Sequence, residues 1–347
     1  MGLTIHVLCN SDGSSSGVCE STIDGDTFRV GVGGSELALL TMCRIWHDDG
    51  HKVILYNNPW RQDGSVFEQR PTASYSPNEA RDFLVVFRSP DARAVPSKGR
   101  KIWWSCDQYT VGDYRNFSDF VDKIVCISPF HARYFEEIYG ITKTIVIDLP
   151  VRLSEFEAKT EKIKNRLVFT SVPDRGLQNL WRIYPKIKQY IPDLSVAITS
   201  DYRLWGAGEL NGQHRSKWIL HDDVEFLGAL PRSRYTEELM KADLMLYPAN
   251  YDECFCYSVA EAQVAGVPVI SSARGALATT NMGHIFYVDA NDQRNDFAFI
   301  DRTVEVLSNR VELDLSRDLI MQMARERFSP ERIKQHWNKH IFEDNEE

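Results

Sequence analysis

No stretch of the chain approaches the ~20 consecutive apolar residues that a membrane-spanning helix needs, so none of it reads as a transmembrane segment. Met1–Asn10 lacks the charged head and small-residue cleavage site of a secretory signal, and His6 stands where an N-myristoylation signal would carry Ser or Thr. No C-x-x-C pair occurs, and the cysteine count is odd, at seven. Both features argue against a disulfide framework or a zinc site and for a reducing, cytoplasmic setting. Cys254 and Cys256 have no cluster of His or Cys beside them and read as small side chains on a turn. Positive charge is also short, the formal net charge being −9. This balance disfavours broad electrostatic binding to nucleic acid or an anionic membrane. The basic run Lys98-Gly99-Arg100-Lys101 reads as a solvated loop.

What is present is length and alternation. The 347 residues make about two domains at ~150 residues each. Short β-branched runs alternate with longer amphipathic segments. The runs predict strands at Thr4–Leu8, Lys52–Tyr56, Phe83–Phe87, Lys101–Ser105, Lys123–Ile127 and Thr144–Ile147. Helices are expected at Ser35–Asp49 and Pro129–Tyr139; in the first, Leu37, Leu39, Leu40, Cys43, Ile45 and Trp46 form an apolar stripe and Gly50 is a stop. Arg152–Asn165 is polar and reads as a linker or a solvated helix. Alternation then restarts, with strands expected at Arg166–Thr170, Ser195–Thr199, Val224–Leu227, Leu244–Tyr247, Val267–Ile270 and Ile285–Val288. Two such runs predict an α/β protein of two doubly wound, Rossmann-like domains facing a central cleft. The expected division is 1–155, 156–328 and a C-terminal helix over 329–347, begun by Ser329-Pro330, that caps the second domain or packs back on the first.

In open α/β sheets ligands bind beyond the carboxyl ends of the strands, so the chemistry belongs in the loops there. The first such loop, Asn10–Gly34, is long and ends in Gly31-Val32-Gly33-Gly34-Ser35-Glu36. Glycines admit close backbone approach, and the following helix start offers free N–H groups to a phosphate. A dinucleotide fingerprint, G-x-G-x-x-G, fails because Glu36 holds the third place. A glycine hinge that only shapes the turn is the alternative. Asp24-Gly25-Asp26 does not follow an apolar strand and reads as a turn rather than a metal-binding D-x-D.

The segment Leu244–Ala278 is the most informative. An apolar strand is followed by a loop bearing Glu253 and by a helix expected to begin near Cys256 and to carry Glu261 in its second turn. A ligand laid across that helix start would place phosphates on main-chain amides and offer hydroxyls to both carboxylates. A sugar–diphosphate–nucleoside has this layout. Either acid alone reads as an ordinary surface carboxylate.

Glu253 and Glu261 match the E-x7-E motif of retaining GT-B glycosyltransferases of the GT4-like group, and Glu261-Ala262-x3-Ala265-Gly266-Val267-Pro268 resembles its helix-to-strand continuation. Phe226-Leu227-Gly228, Lys241-Ala242-Asp243, Ser171–Leu177, Gly33-Gly34-Ser35-Glu36, Ile102–Asp107 and Cys126–His131 resemble further segments of that group. Cys254 and Cys256 depart from it, replacing both glycines of the usual E-G-F-G, and Cys106-Asp107 stands where a histidine is common. The resemblance implies a transferase moving a hexose-type sugar from a nucleotide-diphosphate donor to a hydroxyl acceptor with retention. The first domain would serve the acceptor and the second the donor. Arg175 would neutralise the diphosphate, assisted by the amides of Phe255 and Cys256. Glu253 would hold the sugar, Glu261 the ribose. Gly33 and Gly34 would approach the phosphate–sugar junction, and Asp107 would orient the acceptor or the sugar. No metal or other cofactor is expected. The acceptor stays open: glycan, lipid carrier, protein, metabolite or modified base. Open alternatives are an inverting transferase, a sugar-nucleotide epimerase, or a non-catalytic binding module on the same fold.

Overall fold

The computed structural model describes residues 2–9, 31–59, 65–108, 112–199, 202 and 221–343. Asp24-Gly25-Asp26 and most of the Asn10–Gly34 loop lie outside the described residues. The chain forms two compact units. The first holds residues 2–9, Gly33–Pro150 and the segment from Pro330 onward; the second holds Val151–Ser329.

The first unit is built on a parallel sheet of β1 (Thr4–Cys9), β2 (Lys52–Tyr56), β3 (Glu68–Arg70), β4 (Phe83–Phe87), β5 (Arg100–Trp104), β6 (Lys123–Cys126) and β7 (Thr144–Val146), in the order β3-β2-β1-β4-β5-β6-β7. Residues Phe83–Phe87 are buried on both faces, which is why the central strands read as unbroken apolar runs. Helix α1 (Gly34–Asp48) buries Leu37, Leu39, Leu40, Cys43 and Trp46. A short helix α2 (Tyr114–Ser118) and α3 (Pro129–Tyr134) follow. The helix expected over Pro129–Tyr139 is regular only to Tyr134 and widens to a π-turn over Phe135–Tyr139. Strand β3 went unpredicted because Glu68-Gln69-Arg70 has no apolar periodicity; among the described residues it is an edge strand paired only with β2. The last helix, Pro330–Trp337, belongs to this unit: Trp337 packs edge-on to Trp46 and Trp104 at 4.9 and 5.5 Å, and Lys334 Nζ lies 3.2 Å from Asp49.

The second unit repeats the plan with β8 (Arg166–Phe169), β9 (Ser195–Ile198), β10 (Val224–Phe226), β11 (Leu244–Tyr247), β12 (Val269–Ser272) and β13 (His284–Phe286), all parallel, in the order β10-β9-β8-β11-β12-β13. Its helices are α4 (Leu177–Lys188), α5 (Arg232–Lys241), α6 (Tyr257–Val264), α7 (Leu277–Thr280), α8 (Asp296–Ser308) and α9 (Arg310–Arg327). The strand expected at Val267 starts instead at Val269, because the Val267 N–H is spent on Ala262 O (2.8 Å) and Pro268 has none to give. Arg152–Asn165 is not a free linker. Phe156 is buried, Arg325 donates to its carbonyl at 2.9 Å, and Lys162 Nζ donates to Ala242 O and Gly266 O at 3.0 and 3.2 Å.

Asp243, fully buried at the start of β11, accepts from the Asn165 N–H (2.7 Å), Arg310 Nη1 (2.5 Å) and Arg317 Nη2 (2.9 Å). It ties the chain's entry into the second sheet to α9. Asp243→Ala leaves two guanidinium groups without their buried counter-ion and is expected to cost about 3–5 kcal/mol in urea unfolding. A loss below about 1 kcal/mol would show that Asp243 is not the anchor.

Candidate active site

In the second sheet the strand order reverses between β8 and β11, and ligands of doubly wound sheets bind at the carboxyl ends around such a reversal. Strand β8 runs into a tight turn at Pro173–Arg175, and β11 runs into Pro248–Glu253. The two loops touch. Gly176 adopts φ +123°, and a Cβ there would lie 2.5 Å from Pro248 O, so only glycine fits. Asn179 Nδ2 donates to the same carbonyl at 3.1 Å.

This contact brings Arg175 and Glu253 into one cluster. The Arg175 guanidinium lies over the Tyr251 ring, 3.1 Å from its centroid. Glu253 Oε1 accepts from the Tyr247 hydroxyl at 2.6 Å, and Glu253 O from the Ala276 N–H at 2.7 Å. Burial raises the Glu253 carboxyl pKa, opposed by Arg175 and then by Tyr247. Burial pulls Arg175 down, but Glu253, Tyr251 and Tyr247 together outweigh it and the net shift is upward, so Arg175 stays cationic. Among the described residues, Thr199 Oγ1, after β9, and Asn250 Oδ1, after β11, are buried without a hydrogen-bond partner.

Helix α6 begins at Tyr257, one residue past the expected start, with Cys256 as its N-cap. Phe255 is a core anchor, edge-on to Phe328 at 5.6 Å, so only its main chain is left for ligand binding. Cys256 has φ +69°, in the left-handed region, which accounts for the glycine the E-G-F-G pattern carries there. Burial pushes its thiol pKa far up, so it is no thiolate nucleophile. Glu261 lies in a second cluster: Oε1 accepts from Arg232 Nη2 at 2.6 Å and Oε2 from the Tyr235 hydroxyl at 2.9 Å.

In the first unit Gly33 is the N-cap of α1 and Gly34 its first residue. A Cβ on Gly33 would lie 2.3 Å from Glu36 Oε2, while Glu36 Oε1 accepts from Arg88 Nη2 at 2.9 Å. Asp107 follows β5, and its loop is held from behind. His131 Nε2 donates to Asp107 O at 2.8 Å, Ser105 Oγ donates to the same carbonyl at 3.1 Å, and the Tyr139 hydroxyl donates to Gln108 O. His131 Nδ1 accepts from the Ile127 N–H at 3.3 Å, so the ring is neutral with its proton on Nε2.

Sequence reading missed Tyr247, Tyr251, Arg232, Tyr235 and His131 as members of these clusters. Tyr247 looked like strand core and Arg232 like one of several surface charges on α5. The four-residue step from Ile127 to His131 across a Ser-Pro helix start was the only available signal.

Burial lowers the His131 pKa from 6.5 to about 4, the hydrogen bond to Asp107 O opposing it weakly. The unfolded chain therefore binds a proton that the folded one refuses between these values. The contribution to stability is complete above pH 6.5 and is lost as pH falls toward 4, about 3 kcal/mol in all. Denaturant titrations followed by the tryptophan fluorescence of this unit are expected to show His131→Gln with a shallower pH slope over that range. An unchanged slope would contradict the assignment.

Residues 164–309 match the family model described as Glycosyl transferases group 1. The chain is 23% identical over 225 residues to YqgM, an uncharacterized glycosyltransferase of Bacillus subtilis. That match covers 64% of this chain and spans 56% of the length of the relative. In fold the chain is similar to HepE of Anabaena, solved with UDP and glucose, at a TM-score of 0.72 and 13% identity over 99% of this chain and 100% of that one. It is similar also to sucrose-phosphate synthase of Thermosynechococcus elongatus (TM-score 0.72, 14% identity, 98% of each chain). A third is WaaG, a glycosyltransferase involved in lipopolysaccharide biosynthesis (0.66, 14%, 95% and 99%). The two parallel-sheet units are those of GT-B glycosyltransferases.

Proposed function

We propose that the protein is a glycosyltransferase that moves a hexose-type sugar from a nucleotide-diphosphate donor to a hydroxyl acceptor with retention of anomeric configuration. The observation that carries this reading is the joining of Arg175 and Glu253 at the β8/β11 reversal, beside the N-terminal amides of α6. The group 1 match over residues 164–309 and the UDP and glucose bound by HepE support it.

In this reading the bond from the anomeric carbon to the β-phosphate oxygen breaks while the acceptor oxygen bonds on the same face. The acceptor's proton passes to the leaving diphosphate, so the protein supplies no base. Arg175, held against Tyr251, meets the charge that grows on the leaving group, and the amides of Phe255 and Cys256 add to it without a metal. Glu253, fixed by Tyr247, accepts from sugar hydroxyls, and Glu261 from ribose hydroxyls. For the first unit, the roles in this reading are bare backbone at Gly33 and Gly34 and an orienting carboxylate at Asp107. Among the described residues no helix is long and apolar enough to cross a membrane. We assign the reaction to the cytoplasm.

A thermal-shift panel of UDP-, GDP-, ADP- and TDP-sugars is expected to raise Tm for at least one donor. That donor, incubated with protein, should be slowly hydrolysed, and NMR of the released sugar should show the starting anomer first. No shift and no hydrolysis across the panel would sink the proposal. Arg175→Ala is expected to lower kcat by about 10²–10³-fold with a smaller change in KM; an unchanged kcat would remove the residue from the reaction.

A further inference from the structure

Glu261 does not stand alone. Arg232 and Tyr235, three residues apart and so on one face of α5, both reach it. Arg232 is itself held. Its Nη2 and Nε lie 2.5 and 3.0 Å from Glu155 Oε2, and its guanidinium carbon lies 4.9 Å from the centroid of the Tyr235 ring. Arg152 Nη1 stands 3.7 Å from the other Glu155 oxygen. Arg232 and Glu261 are only 6% and 2% exposed. Two acids and two guanidinium groups thus balance in a network whose Arg232–Glu261 end is buried.

The network has a consequence for recognition. A carboxylate accepts about four hydrogen bonds, two on each oxygen. Arg232 takes one on Oε1 and Tyr235 one on Oε2. One acceptor position remains on each oxygen, side by side, which is the pattern that a vicinal diol satisfies. Burial raises the Glu261 carboxyl pKa; Arg232 and then Tyr235 oppose that rise, while the Glu155 charge adds to it.

Resting on the ribose role proposed above for Glu261, we infer that Arg232 and Tyr235 are positioning residues that hold this carboxylate fixed in plane for the 2′,3′-diol, making the chain selective for ribonucleoside over 2′-deoxyribonucleoside diphosphates. They act through Glu261 and touch no substrate. Donors built on a 2′-deoxynucleotide, such as TDP-sugars, are poor ligands as a result.

The test is calorimetry on the full chain with UDP, GDP and ADP, each paired with its 2′-deoxy form, and with inorganic pyrophosphate as a control for the phosphate site. The wild type is expected to bind the ribo form of its preferred pair at least about tenfold more tightly, as for one hydrogen bond to a charged acceptor. Tyr235→Phe should lower that ratio at least about threefold, and Arg232→Lys by more, with pyrophosphate affinity unchanged in both. A wild-type preference that survives both substitutions overturns the inference and leaves the ribose role of Glu261 standing. A wild type without preference overturns both. A parallel loss of pyrophosphate affinity shows general damage to the unit and overturns the positioning role. Should Arg232→Lys fail to fold, Tyr235→Phe, which removes only a hydroxyl, decides the matter.

Discussion

The second unit depends on one close approach: the backbone at Gly176 lies against the carbonyl of Pro248 with no room for a side chain. Strand reversal sends the loops after β8 and β11 away from a shared boundary, and this contact draws them back together. One loop carries a guanidinium, the other a carboxylate. Both charged groups are partly withdrawn from water, where each would be costly alone, and each is held by a tyrosine as well as by the other's field. The backbone contact thus comes first, the charge pair follows, and the N-terminal amides of α6 lie at the end of the same loop.

The two acids of the E-x7-E spacing turn out to have different surroundings. Glu253 leans on Arg175 and Tyr247, whereas Glu261 is enclosed by Arg232 and Tyr235. Seven intervening residues place one acid in the loop before the helix and the other in its second turn. The left-handed backbone at Cys256 is what lets the chain turn from the loop into that helix.

Much of this was legible beforehand. The unbroken apolar runs gave the central strands of both sheets within a residue or two, because such strands are buried on both faces and leave no alternation to misread. The exceptions have physical causes. Glu68-Gln69-Arg70 pairs at an edge through backbone hydrogen bonds and polar side chains, Gln69 with Asn57 and Arg70 with Tyr56, and not through an apolar face. Val267 carries a strand-like side chain, but its N–H closes a helix. Lys162 looked solvated in a charged stretch, yet two carbonyls draw it down onto the second unit. In the site, Arg175, Glu253 and Glu261 stood out by spacing and resemblance. Their supports did not, since Arg232, Tyr235 and Tyr247 are set by contacts between residues far apart in sequence or by the facing of a strand end. His131 is the intermediate case, its ring closing a loop whose sequence partner lies 24 residues earlier.

The central claim is that the loops after β8 and β11, with the start of α6, hold the diphosphate of a nucleotide. Hydrogen exchange of the full chain, with and without a saturating amount of whichever of UDP, GDP and ADP raises Tm most, tests it directly. The account predicts slowed exchange concentrated at residues 170–177 and 251–264. Unaltered exchange in both segments, with protection elsewhere in the chain, would contradict it.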